Sequence, residues 1–119
     1  MRPQSAKAKG RKLQQQVRQK LIDELGIHPE DLDSRPMGSQ GEDIMMSNAA
    51  RALFPFSTEC KNQEKLNVFS AYDQAEENCP DHSDPVLIFK RNRTPIFAMI
   101  KFDCLLKMQK TINFSKNSD

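Results

Sequence analysis

No apolar run in the 119-residue chain approaches the ~20 residues that a membrane-spanning helix needs. The opening Met1-Arg2-Pro3-Gln4-Ser5 lacks the apolar stretch of a signal peptide. These absences predict a soluble, cytoplasmic protein with no membrane contact. Cysteines are few: Cys60, Cys79 and Cys104 form an odd, widely spaced set with no CxxC pair. That excludes a disulfide framework and a zinc cluster, and fits a reducing compartment. His28 and His82 each lie beside turn residues with no spacing for a joint metal site, and read as structural or surface groups. There is no internal repeat and no low-complexity segment. The length suits a single domain with one modest core.

A net charge of +2 says little about partners, but its distribution says more. Residues 1–20 carry Arg2, Lys7, Lys9, Arg11, Lys12, Arg18 and Lys20 and no acidic group, whereas residues 23–42 are mostly acidic. Such a basic arm either contacts phosphates, releasing counterions as it does so, or serves as a solvating tail. Both readings stand at this point.

Apolar spacing predicts a helix over residues 9–25, where Leu13, Val17, Leu21 and Leu25 recur every four residues before Gly26. Residues 27–39, punctuated by Pro29, Pro36 and Gly38, read as loop with one helical turn at Pro29–Leu32. A short strand is expected over Asp43–Ser47, a turn or hairpin connection over Asn48–Leu53, and a strand over 54–61. Residues 66–77 read as a second helix with Phe69, Tyr72, Ala75 and Cys79 on its apolar side. Val86–Phe89 and Ile96–Ile100 read as covered strands either side of the basic turn 90–95. A last helix over Phe102–Met108 precedes a polar tail expected to fray. The expected order, α-β-β-β-α-β-β-α, makes a mixed sheet with helices on both sides. The domain plan is a basic arm over 1–8, one domain over 9–110 and a flexible tail over 111–119. Phe97, Met99 and Phe102 are expected mainly in the core.

The segment Phe54-Pro-Phe-Ser-Thr-Glu-Cys-Lys61 carries the chemistry. Alternation along a strand puts Glu59 and Lys61 on one face, and Phe54, Phe56, Thr58 and Cys60 on the other. Asp43 lies upstream in Gly41-Glu-Asp-Ile44. Hydrolysis of a phosphodiester requires an activated water and neutralisation of the charge added to phosphorus. Divalent cations do both and prefer carboxylate oxygens. Asp43 and Glu59 can share such a cation, the Cys60 carbonyl can add a third oxygen, and Lys61 can orient the water or offset developing charge. Taken alone, Glu-x-Lys is a common ion pair of little energetic weight.

Gly41-Glu42-Asp43-Ile44 followed by Glu59-Cys60-Lys61 resembles the PD-(D/E)XK nuclease superfamily. The loop Arg35-Pro-Met-Gly-Ser-Gln-Gly-Glu-Asp43 is similar to the entry to the metal-binding aspartate in its Holliday-junction resolvases. Basic Lys7–Lys12, Phe54-Pro-Phe-Ser57 and Phe89-Lys-Arg-Asn-Arg93 resemble small phage-type, resolvase-like endonucleases. The resemblance spans roughly residues 7–107. It implies a restriction-endonuclease-like three-layer α/β/α fold with a central mixed sheet of four to five strands. It also implies Asp43 and Glu59 as metal ligands for Mg²⁺ or Mn²⁺, Lys61 as catalytic lysine, and Ser39 near the scissile phosphate. Many resolvases supply a further glutamate from the first helix, where this chain has Gln14, Gln15 and Gln16. Glu42 can supply that carboxylate, a glutamine can coordinate in its place, or one metal can suffice. Strand alternation favours Asp43 over Glu42 as the principal ligand.

Gln74 on the second helix is a secondary candidate beside the site, or else a solvated helix residue. Lys90, Arg91 and Arg93 join Lys7, Lys9, Arg11 and Lys12 as candidate phosphate contacts. The implied activity is a Mg²⁺-dependent endonuclease on branched DNA, working as a homodimer inside a phage-infected bacterial host. Phe97, Met99, Phe102 or the last helix would then supply the dimer surface. A general nicking or degradative phage nuclease is the alternative within the class. Outside it stand a catalytically silent nucleic-acid-binding module of the same fold, and an adaptor docking through the acidic 23–43 segment.

Overall fold

Helix α1 spans Ala6–Leu25, three residues earlier than the apolar spacing predicts. In this computed structural model, residues 5–36 and 38–117 are described. Residues 1–4, with Arg2 of the basic arm, Met37 of the loop, and residues 118–119 of the tail lie outside the described residues. Ser5 starts α1 by accepting from the Ala8 N–H at 3.1 Å. Gly26, at φ +68°, ends it in the left-handed conformation that a side chain would disfavour. Leu13, Val17 and Leu21 are buried, each contributing roughly 2 kcal/mol of hydrophobic stabilisation. Leu25 remains 42% exposed, so the buried stripe stops one turn short of the helix end.

A 3₁₀ turn at Pro29–Asp31 leads into β1, Leu32–Ser34, where the sequence reads as loop. Strand β1 pairs antiparallel with β2, Ile44–Met46, in the register Leu32↔Met46 and Ser34↔Ile44. Three residues are too few to display alternation. Tertiary burial of Leu32 and Ile44 beneath α1 holds the pair together. Arg18 pins this hairpin to α1, donating to the carbonyls of Leu32 at 3.1 Å and Pro29 at 2.7 Å.

Residues Asn48–Leu53 form helix α2 in place of the expected turn or hairpin connection. Ser47 caps it at the Ala50 N–H, and Ala50 itself is buried. Then follow β3 (Phe56–Asn62), α3 (Val68–Glu77), β4 (Asp84–Lys90), β5 (Phe97–Met99) and α4 (Phe102–Asn117). Strands β3 and β4 run parallel, and β5 pairs antiparallel with β4. The five strands therefore divide into a two-stranded and a three-stranded sheet, not the single four- to five-stranded sheet expected. The Asp43 N–H donates to the Thr58 carbonyl at 2.8 Å and joins the hairpin to the β3 edge.

Helices cover both faces of the three-stranded sheet. Cys60, Ile88 and Ile96 pack with Leu13, Val17 and Leu21 of α1. Leu87, Phe89 and Met99 pack with Ala71 and Tyr72 of α3. Phe69, expected on the buried side of α3, is 71% exposed, and Ala71 takes the core position. Helix α4 extends well past the expected Met108 and carries no buried residue. Phe97 (50%) and Phe102 (70%) are exposed where core positions were expected, and only Met99 of that trio packs inward.

Candidate active site

The site forms at the β3 edge that has no β4 neighbour, between α1 and α3. Asp43 enters from the hairpin and is fixed twice along β3. Its backbone N–H reaches the Thr58 carbonyl, and its Oδ2 accepts from the Cys60 N–H at 2.7 Å. The N–H and C=O of one strand residue leave on the same edge, so the Cys60 carbonyl also faces Asp43. The Cys60 side chain turns into the α1-side core, where burial holds its thiol neutral. Cys60 can therefore contribute through its backbone alone.

Glu59 and Lys61 share the α3-facing side of β3, with Lys61 Nζ 3.6 Å from Glu59 Oε1. Glu59 is only 3% exposed. Burial, then the nearby Asp43 charge, pushes its carboxyl up to about 7, against opposing pulls from Lys61 and the Asn78 amide. Its Oε2 is buried with no hydrogen-bond partner among the described residues. Burial likewise raises Asp43, offset by the Cys60 N–H, Lys61, the Gln14 side chain and Arg35. A buried and a half-buried carboxylate that repel each other, the buried one with an orphaned oxygen, form an arrangement that a cation would relieve.

Asp43, Glu59, Cys60, Lys61, Ser39, Gln74 and Lys7 all line one cavity of about 750 Å³. Ser39 Oγ donates to the Pro36 carbonyl at 2.7 Å and closes the loop over the site. Glu42 lies elsewhere: it turns from the cavity into an ion pair with Arg51, whose Nη1 also donates to Ser83 Oγ at 3.0 Å. Glu42 therefore does not stand in this cavity for the missing helix glutamate. Lys9, Arg11 and Lys12 do not line the cavity, and Arg11 and Lys12 are exposed on α1. Lys90, Arg91 and Arg93 line a second cleft, which shares Gln63 with the first.

Three neighbours of the site escaped the sequence analysis as individuals. Gln14 is 7% exposed and lies beside Asp43 from α1, where its side chain pulls that carboxyl down. Its position three residues before Val17, inside the apolar stripe, is the signal that separates it from exposed Gln15 and Gln16. Arg35 anchors its guanidinium by donating from Nε to the Glu42 carbonyl at 2.6 Å. It passes so close to Gly41 (φ +127°) that a Cβ there would sit 2.5 Å from Cζ. Asn78, the α3 cap, reaches Glu59. Arg35 opens the Arg35–Asp43 loop motif, whereas Asn78 has no local sequence pattern that marks it.

The donor set suits a hard divalent cation: carboxylate oxygens of Asp43 and Glu59, the Cys60 carbonyl, and the Gln14 amide oxygen. Among the described residues no cluster of three or more His, Cys, Asp or Glu side chains forms. Two carboxylates with neutral oxygens are thus what this site offers. No helix is long and apolar enough to cross a membrane among the described residues.

No curated protein and no solved structure matches the chain. Residues 5–118 match the family described as "Phage putative PDDEXK endonuclease". That span covers Asp43, Glu59 and Lys61 together with every element from α1 to α4, and the chain belongs to this family of the PD-(D/E)XK nuclease superfamily.

Proposed function

We propose that the protein is a divalent-metal-dependent DNA endonuclease that hydrolyses phosphodiester bonds at the Asp43–Glu59–Lys61 site. The observation that carries this reading is the convergence of Asp43 and Glu59 on the Cys60 edge, with a buried, unpartnered Glu59 oxygen and Lys61 alongside. Asp43, Glu59 and the Cys60 carbonyl would hold Mg²⁺ or Mn²⁺, which supplies Lewis-acid activation and charge neutralisation at the phosphate. Gln14, beside Asp43 on α1, would orient that carboxylate and offer its amide oxygen to the same cation. Lys61, on a strand and braced by Glu59, holds the attacking water or offsets charge on the phosphate oxygens. Ser39 and Lys7 on the cavity rim, with Gln74 on the α3 side, approach the scissile phosphate and its neighbours. Lys9, Arg11, Lys12, Lys90, Arg91 and Arg93 extend the phosphate-binding surface on either side.

Branched DNA is the proposed substrate. The Arg35–Asp43 loop, which resembles that of Holliday-junction resolvases, supports this choice. The homodimer that a two-fold junction calls for finds support in the exposed Phe102, Leu105, Leu106 and Ile112 of α4.

The test is cleavage of end-labelled four-way junction, linear duplex and single-stranded DNA with Mg²⁺, Mn²⁺ or EDTA, comparing wild type with Lys61→Ala. Metal-dependent, symmetric cuts confined to the junction and lost in the variant are expected. Equal cutting of all three substrates would leave a general nicking nuclease. Binding with no cleavage in either metal would make the protein a silent module and end the catalytic reading.

A further inference from the structure

Beside the catalytic cavity lies a second cleft of about 420 Å³ that the hydrolytic site does not use. Its floor is apolar, with Leu66, Val68, Phe89 and Phe97, and its rim carries Arg91 and Arg93. Resting on the DNA-endonuclease reading, we infer that this cleft is a stacking site for an unpaired nucleobase of the substrate, with Phe97 as the platform.

Register supplies the first argument. Lys61 pairs with Phe89, and Phe89 with Phe97, so the three side chains form one row across the sheet on one face. Neighbouring strands lie about 4.8 Å apart, which puts Phe97 about 10 Å from the catalytic lysine along that row. Gln63 lines both cavities, so the second cleft adjoins the first.

Phe89 and Phe97 lie with ring centroids 5.9 Å apart and planes tilted by 30°. Phe89 is half-buried, while Phe97 is 50% exposed and offers ring surface to solvent. An exposed aromatic ring flanked by arginines is the combination on which unpaired bases stack while their phosphates are neutralised. None of Lys90, Arg91 and Arg93 forms an ion pair among the described residues. A paired base shows a protein only its edges, so a ring face comes only from an unpaired nucleotide.

The turn carrying these cations is also built to hold shape. Thr94 Oγ1 accepts from the Arg91 N–H at 3.2 Å and lies within hydrogen-bonding distance of the Arg91 and Pro95 carbonyls. The Asn92 N–H donates to Glu64 at 2.9 Å, and Arg93 adopts a left-handed φ of 65°. A turn tied at both ends and to the neighbouring loop presents its arginines without first having to order.

The experiment compares wild type, Phe97→Ala and Phe97→Trp by fluorescence anisotropy in EDTA, using a fork with unpaired arms and a fully paired duplex of equal length. Phe97→Ala is expected to weaken fork binding roughly 5- to 20-fold and leave duplex binding unchanged. Phe97→Trp is expected to retain fork affinity. Because the chain has no tryptophan, its emission reports this site alone, and quenching by the fork but not the duplex is expected. Equal losses on both DNAs, no loss on either, or an unquenched tryptophan in the fork complex would each overturn the inference. If wild type still cuts DNA with Mg²⁺ or Mn²⁺ in that event, the stacking site alone fails. If wild type neither binds nor cuts any DNA, the nuclease reading fails and the stacking site with it.

Discussion

The loop leading into β2 and the middle of β3 each bury a glutamate, Glu42 at 4% and Glu59 at 3% exposure. In the loop, Glu42 meets the Arg51 guanidinium, itself braced by Ser83, and a charge match completes the structure. On the strand, Glu59 has Lys61 at 3.6 Å, a second carboxylate nearby and an oxygen without a partner among the described residues. Both carboxylates cost free energy to desolvate, but only the first is repaid within the fold. Burial does not distinguish a structural carboxylate from a functional one. What distinguishes them is whether the protein supplies the counter-charge or leaves it to something that binds.

The largest expected effect separates the two regions by activity. Glu59→Gln should lower metal-dependent cleavage by at least ~10³-fold, or about 4 kcal/mol, by removing a charged oxygen from the reacting site. Glu42→Gln should leave the cleavage rate of the folded protein within about threefold, as expected for a group outside that site. Single-turnover assays on folded variants decide it. Strong loss of cleavage in a folded Glu42→Gln protein would reverse the assignment.

Stability should separate them the opposite way. Arg51→Ala leaves Glu42 buried and unpaired, and should cost about 3 kcal/mol, lowering the melting temperature by about 10 °C in calorimetry. Lys61→Ala removes a looser contact from a side chain 23% exposed, and should cost under about 1 kcal/mol.

The pH dependence sharpens the comparison further. The folded Glu59 carboxyl titrates at about 7, above its ordinary 4.5. Because the native state holds that proton more tightly, its contribution is complete below pH 4.5 and is lost as pH rises through about 7. Integrated over that window it amounts to about 3 kcal/mol. Urea denaturation across this range should therefore show a decline in wild type that is absent from Glu59→Gln. Mg²⁺, bound by the ionised form, should restore stability most at the alkaline end.

The smallest effect concerns Gln14. Gln14→Ala should weaken Mn²⁺ binding about tenfold, the usual range for a residue that orients a ligand. Gln14→Glu should tighten it by adding a third carboxylate. Calorimetric titration with Mn²⁺ measures both, and an unchanged affinity in each would remove Gln14 from the cation site.

Much of this was legible from local pattern. Alternation in residues 54–61 predicts a strand, and β3 occupies Phe56–Asn62 with Glu59 and Lys61 on one face. The four-residue spacing of Leu13, Val17 and Leu21 predicts α1 and its buried side. Elsewhere the local signal was too short or misled. Strand β1 is three residues long, and its apolar Leu32 matters only because α1 covers it. Helix α2 contains Asn48 and follows Ser47, residues that read as turn until Ser47 acts as a cap. Helix α4 continues through Lys107–Asn117 with none of its described residues buried, so no buried apolar stripe marks its length in the sequence.

By itself the sequence determined the element types wherever the apolar period was long enough to read. It also determined the candidacy of Asp43, Glu59 and Lys61, because side-chain alternation is a property of any strand. Only the tertiary structure decided which glutamate is neutralised and which is left poised. That choice depends on Arg51, held by Ser83, reaching one carboxylate, and on Asp43, Gln14 and Asn78 converging on the other site from separate elements. Electrostatic fate follows distance in space, and distance in sequence carries no information about it.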